Sequence, residues 1–294
     1  MRLLNVETRR LQEFFDEVPE YVILSHTWGS GEVTFQDLDR PDHTKKRGYI
    51  KIDGTCYLAA RNGIKWVWVD TCCIDKTSSA ELSEAINSMY RWYRDSQICY
   101  AYLEDFQQGD DPSSFDSQFS NSRWFTRGWT LQELLAPETV EFFDAVWKKL
   151  GTRSSLAPKI ESITSIPTEF LKRNEDSPAI RSAKIAMRMS WAARRQTTRV
   201  EDIAYSLLGI FDVNIPLLYG EGERAFERLQ IEIMKQGHDA VYRRFDTRTD
   251  KRERGEWGFD AAADRDDEAA FGRFDTNMGM DVRVQARAGQ EPGQ

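Results

Sequence analysis

The sequence predicts an α/β protein, a parallel sheet with helices on both faces, followed by a helical extension. Three observations predict it. Up to about residue 150, short apolar runs alternate with stretches of helical periodicity. The runs are apolar throughout, as strands buried on both faces are. Beyond 150, helical patterns follow one another.

Tyr21–Ser25 (YVILS) is an apolar run that ends in polar HTWG, the pattern of a buried strand feeding a loop. Over Lys45–Asn62, Tyr49, Ile52, Cys56 and Ala59 recur at helical spacing, with Gly63 as C-terminal cap. Lys65–Asp70 (KWVWVD) is a second strand. Ser78-x-x-Glu81 is a capping box ahead of a helix whose buried face is Leu82, Ile86, Met89 and Tyr93. Gln97–Leu103 is a third strand, a helix spans 124–135 and stops before Pro137, and Thr139–Phe143 is a fourth strand. Ser154–Phe170, Ser182–Arg194, Arg199–Ile210 and Glu223–Lys235 read as helices, the third capped by Thr198-x-x-Glu201 with Gly209 near its end. The expected organisation is an α/β core over 1–150 and a helical extension over 151–236.

The 57 residues from His238 hold 10 basic and 13 acidic side chains and no Leu or Ile. Such a segment cannot bury enough surface to offset its ordering entropy, so 237–294 is expected to be a disordered tail.

Composition excludes several classes. With 40 Lys+Arg against 48 Asp+Glu the chain is acidic, which argues against nucleic acid as a partner. Its longest apolar stretch, Ile64–Ile74, carries Lys65 and Asp70 and falls short of the roughly 20 residues of a membrane span. The N-terminus lacks the pattern of a secretory signal, and the four cysteines have no Cys-x-x-Cys spacing; a cytoplasmic location without structural metal is expected. Neither Gly-x-Gly-x-x-Gly nor a P-loop occurs, so no cofactor is expected. In parallel α/β sheets ligands bind beyond the carboxyl ends of the strands, where strand order reverses. His26–Trp28 and Asp70–Asp75 fall on that edge.

Three blocks, YVILSHTWG (21–29), GIKWVWVDTCCIDK (63–76) and SRWFTRGWTLQELLAP (122–137), closely resemble the signature blocks of the fungal heterokaryon-incompatibility (HET) domain. The resemblance continues through 182–233. It implies a role in self/non-self recognition that ends in growth arrest or cell death. HET domains are in turn similar to the Toll/interleukin-1 receptor (TIR) fold, which implies a flavodoxin-like, mostly parallel sheet. Ser25, Gly63 to Asp70, and Trp129 with Glu133 match the TIR pattern. Some TIR domains hydrolyse NAD with that Glu, so the resemblance points to Glu133 as catalytic residue and NAD as substrate. It also implies self-association and an upstream sensor protein.

The chemistry suits a carboxylate, since cleaving the nicotinamide–ribose bond develops positive charge on the sugar. The bland reading of Glu133 is an exposed helix Glu paired with an Arg. His26 is either a proton-transfer residue or a loop-stabilising one. Ser25, Trp28, Asp70, Arg127 and Trp129 complete the candidate substrate site. Against this, Trp129 also reads as core, and Asp70 or Asp75 as a turn cap. Arg123 and Arg127 either bind phosphates or pair with the acidic loop Glu104–Asp111. Cys72 and Cys73 as nucleophiles with His26, or a zinc site with Cys99, are weaker readings than buried filler. The rival class is a non-enzymatic signalling module acting through assembly, with exposed aromatics as interface anchors. A pocket joining His26, Asp70 and Glu133 favours an enzyme.

Overall fold

A computed structural model describes residues 1–107, 111, 112, 114, 117–172 and 177–236. It divides into two units, Met1–Phe226 and Glu227–Gln294, and the first carries everything below. The expected tail at 237–294 lies outside the described residues. Among those residues no helix is long and apolar enough to cross a membrane.

The strands are β1 (Arg2–Asn5), β2 (Leu11–Glu13), β3 (Tyr21–His26), β4 (Trp66–Trp68), β5 (Ile98–Tyr102), β6 (Val140–Phe143) and β7 (Lys149–Thr152). They form one sheet in the order β2-β1-β4-β3-β5-β6-β7. The inner strands β4, β3, β5 and β6 run parallel, while β1, β2 and β7 pair antiparallel. The sheet is therefore mixed, where the sequence suggested a mostly parallel one. The three added strands are too short to leave a periodic signal. In β1, Leu3 and Leu4 are both buried, so even the alternation of faces is masked.

The helices are α1 (Tyr49–Arg61), α2 (Ser79–Arg94), α3 (Gln118–Asn121), α4 (Thr130–Leu135), α5 (Ala157–Thr164), α6 (Thr168–Leu171), α7 (Ile185–Ala192), α8 (Asp202–Tyr205) and α9 (Leu208–Phe211), and residues 224–236 are helical as well. Helices cover both sheet faces. Side chains alternate along a strand, so Trp68 and its register partner Ile23 share the face of Ser25, where Trp68 packs on Tyr93 of α2. Tyr100, opposite Leu24, lies on the other face and accepts a hydrogen bond from Asn62 at the end of α1. There Trp147 lies across Gly54 of α1 and donates to the Ile50 carbonyl.

Gly63 caps α1 as expected, with φ +75. The Ser78 box is half formed. Ser78 accepts from the Glu81 amide, but the Glu81 carboxylate turns to the Asp75 amide and to Arg2. The helix expected over 124–135 is broken. A 3-10 turn at Arg123–Thr126 gives way to an extended Arg127, because the Gln196 backbone exchanges hydrogen bonds with Thr126 and Gly128. A Cβ on Gly128 would come within 2.5 Å of Thr197.

The expected 154–170 helix divides into α5 and α6 at Ser165, whose φ is +60, and Pro167. The expected 199–210 helix divides into α8 and α9. Thr198 does not cap it, since its hydroxyl accepts from Arg127, and Gly209 does not end it. Gly209 sits against Tyr90, while left-handed Asp212 terminates α9.

Candidate functional site

Strand order reverses at β3, which has β4 on one side and β5 on the other. The last two residues of β3, Ser25 and His26, point to opposite faces of the sheet there.

On the α4 face, the Ser25 hydroxyl donates to the Glu133 carboxylate and accepts from Trp124 Nε1 at 2.8 Å. Tyr93 from α2 donates to the Leu24 carbonyl at 3.0 Å and also lies against the carboxylate. Glu133 is 7% exposed. Burial pushes its carboxyl up to about 8; Ser25, Tyr93 and Arg195 oppose the rise, and Asp70 adds to it. A carboxyl so placed is largely protonated at neutral pH.

On the other face, the His26 ring is sealed from solvent, 3.8 Å from both Glu32 and Asp70, and neither ring nitrogen has a hydrogen-bond partner. Burial holds it below the ordinary histidine range, against the pull of Asp70 and Glu32. Burial also works against the charge on Asp70, yet Lys76, His26 and the Trp28 indole together keep its carboxyl low. Trp28, 48% exposed, donates Nε1 to Asp70 at 2.8 Å, and Lys76 Nζ stands 3.4 Å from its ring centroid. Lys51, buried beneath, pairs with Glu32 at 2.5 Å.

Ser25, His26, Trp28, Asp70 and Glu133 thus form one neighbourhood, with Asp70 acting electrostatically on both His26 and Glu133. Two expected members lie elsewhere. Arg127 donates to Thr198 at 3.3 Å, and Trp129 to Asp202. The Gln196 bridge draws Arg127 toward the helical extension, while Trp129 keeps helical geometry four residues ahead of Glu133 and commits its indole to Asp202. Trp124, Tyr93 and Arg195 are the members that sequence reasoning missed. Trp124 stands inside a signature block, whereas no local pattern marks Arg195.

A family model described as Heterokaryon incompatibility protein (HET) matches residues 21–112, from the first residue of β3. The vegetative incompatibility protein HET-E-1 of Podospora anserina is 49% identical over 244 residues, 80% of this chain and 18% of that protein. The chain carries a HET domain. It spans less than a fifth of that relative's length, and no solved structure matches it. The HET match includes Ser25, His26, Trp28 and Asp70 and ends before Trp124 and Glu133.

The other chemistries considered find no support in this HET domain. All four cysteines are free and buried. A hydrogen bond to Cys73 and burial push the Cys72 thiol up, and burial does the same to Cys99, so neither of these two is a ready thiolate. Among the described residues no His/Cys/Asp/Glu group could hold a metal ion. Arg123 meets the acidic loop at Asp105, 3.7 Å away, and Asp75 caps a turn at Thr77. Cavities of about 400 Å³, beside Tyr100 and Trp147, and 300 Å³, beside Met1 and Trp92, do not include Glu133 or Ser25 in their linings.

Proposed function

We propose that this HET domain acts in heterokaryon incompatibility in the cytoplasm, triggering cell death by hydrolysing NAD at Glu133 on a TIR-like sheet. The observation that carries the reading is the Glu133 carboxylate, buried at the strand-order reversal and hydrogen-bonded by Ser25. The parallel strands, renumbered in chain order, run 2-1-3-4, which is the flavodoxin-like sequence of neighbours. Ionised Glu133 stabilises the positive charge that develops on ribose as the C1′–N bond breaks. The bonding pair leaves with neutral nicotinamide, water adds to C1′, and one proton is released with ADP-ribose. Ser25 orients the carboxylate. Trp28 offers an aromatic face to the cationic nicotinamide ring, while Asp70 and His26 flank the ribose side. Arg127 and Trp129 have no part in it.

Because Glu133 is buried, the chain as described is the closed form. Self-association through the HET domain, prompted by an upstream sensor, opens it. That burial also favours a second reading, a non-enzymatic module that kills by assembly. One experiment separates them. Purified protein is incubated with NAD over a range of protein concentrations, and free nicotinamide is measured beside killing on overexpression. The enzyme reading expects specific activity to rise with concentration and Glu133→Gln to lose at least about a hundredfold in turnover. Killing that persists in a folded Glu133→Gln chain with no cleavage supports the module. Undiminished cleavage removes Glu133 from the mechanism.

A further inference from the structure

Arg195 lies just beyond α7 and is buried at the first turn of α4. Its Nε donates to the Trp191 carbonyl at 3.3 Å; Nη1 donates to the Arg127 carbonyl at 2.9 Å and to Thr130 Oγ1 at 2.8 Å. Its Nη2 is buried with no hydrogen-bond partner. Thr130 is three residues before Glu133, so both side chains lie on one side of the same helical turn. Thr130 Oγ1 passes the connection on to the Trp124 carbonyl at 2.5 Å, and Trp124 in turn bonds Ser25, the partner of Glu133.

A clamp between the extension and α4 accounts for Nε and Nη1. It does not account for a full positive charge with one nitrogen left unpaired away from water, an arrangement that costs stability unless a negative charge compensates it. The groups that bear on Glu133 are Ser25 from β3, Asp70 after β4, Tyr93 from α2, Cys99 from β5, and Arg195. Asp70 repels its charge, the Ser25 hydroxyl bonds it, the Tyr93 hydroxyl lies against it, and Arg195 is the cation that acts on it. Arg153, the other buried guanidinium at α4, is committed to backbone carbonyls and acts on Cys99. The relationship is mutual, since Glu133 is the charged group that acts on Arg195. The two are not in direct salt-bridge contact, so the coupling acts through a low-dielectric interior.

We propose that Arg195 is a positioning residue for Glu133. Its guanidinium, delivered by the helical extension, supplies the positive potential that lets the buried carboxylate ionise. The site is therefore built jointly by the α/β sheet and the extension. This inference rests on reading Glu133 as the working carboxylate.

The test uses the full chain and reads Glu133 directly, by carboxyl ¹³C NMR titration in wild type, Arg195→Gln and Arg195→Lys. Gln keeps an N–H donor for Thr130 and removes the charge, whereas Lys keeps the charge. Arg195→Gln is expected to raise the Glu133 midpoint by at least about one pH unit, a tenfold loss of ionised carboxylate at pH 7. Arg195→Lys restores most of it. The pH–rate profile of nicotinamide release should move in parallel, with the Arg195→Gln loss recovered at high pH. An unmoved Glu133 midpoint in a folded Arg195→Gln chain overturns the proposal.

If Arg195→Gln does not fold, wild type and Glu133→Gln carry the test. In wild type the Arg195 guanidinium signals should shift with pH through the Glu133 midpoint near 8, and in Glu133→Gln that shift should vanish. Arg195 signals that ignore this range in wild type overturn the proposal. The titrations stand whether or not NAD is cleaved. Absent nicotinamide release with an intact coupling therefore rejects the NAD reading alone.

Discussion

Ser25 donates its hydroxyl proton to the Glu133 carboxylate across 108 positions of sequence, joining the end of β3 to the first turn of α4. Neither partner is free to serve solvent. The bond makes Glu133 part of the interior, and its chemistry follows from that burial.

The native Glu133 carboxyl titrates near 8, while in the unfolded chain it titrates near the ordinary 4.5. Between these values the native state holds a proton that the unfolded state has released. Stability therefore falls as pH rises, by about 1.4 kcal/mol per unit at most, and levels off above the native midpoint. Glu133→Gln lacks this term. The stability difference between variant and wild type should shift toward the variant by on the order of a few kcal/mol from pH 5 to pH 8. Urea unfolding at the two pH values measures it, and a constant difference contradicts the buried titration.

Gly54 lies within α1, where Ala ordinarily gains about 1 kcal/mol. Here a Cβ would come within 2.1 Å of the Trp147 indole. Trp147 has little room to yield, being bonded to the Ile50 carbonyl at 3.1 Å and packed on Tyr102 at 4.8 Å between ring centroids. Gly54→Ala should lose about 1–3 kcal/mol net. A melting temperature equal to or above wild type rules this out.

Arg153, 2% exposed, donates to the carbonyls of Leu134, Pro137, Glu138 and Leu171. These include the acceptors at the end of α4, so Arg153 holds the helix that carries Glu133. Arg153→Met keeps the apolar stem and strips those acceptors of their partner, an expected loss of about 3–5 kcal/mol. Chemical denaturation measures it, and a loss below about 1 kcal/mol shows that water or repacking replaces the guanidinium.

The four parallel strands were legible because each is a continuous apolar run, and α1 and α2 because their periodicity persists over several turns. The hairpin of β1 and β2 and strand β7 were not. They are three or four residues long; β2 and β7 are edge strands paired on one side only, and β1 is held in the sheet by β4, far along the chain. The site was legible in the same measure. Ser25 and His26 end β3, and Trp28 and Asp70 follow strands whose ends could be read. The environment of Glu133 could not be read, since nothing local to TLQELL distinguishes a carboxylate buried against Ser25 from one facing water. Trp129 misled because the i, i+4 rule places it on a helical turn with Glu133 but says nothing of its partner, and its indole bonds Asp202 from the extension.

The bonds from Arg195 to Arg127 and Thr130, and from Gln196 to Thr126 and Gly128, also set an order in time. On the ribosome, chain emerges at roughly 5–20 residues per second, so the piece that fastens α4 follows Glu133 by several seconds. During that interval β3, β5 and β6 are already available to pair, and the nascent sheet meets Glu133 before its distant cation exists. The neutral acid is the species that such a half-made interior admits. The fastening of α4 is completed only when residues 195 and 196 have been made.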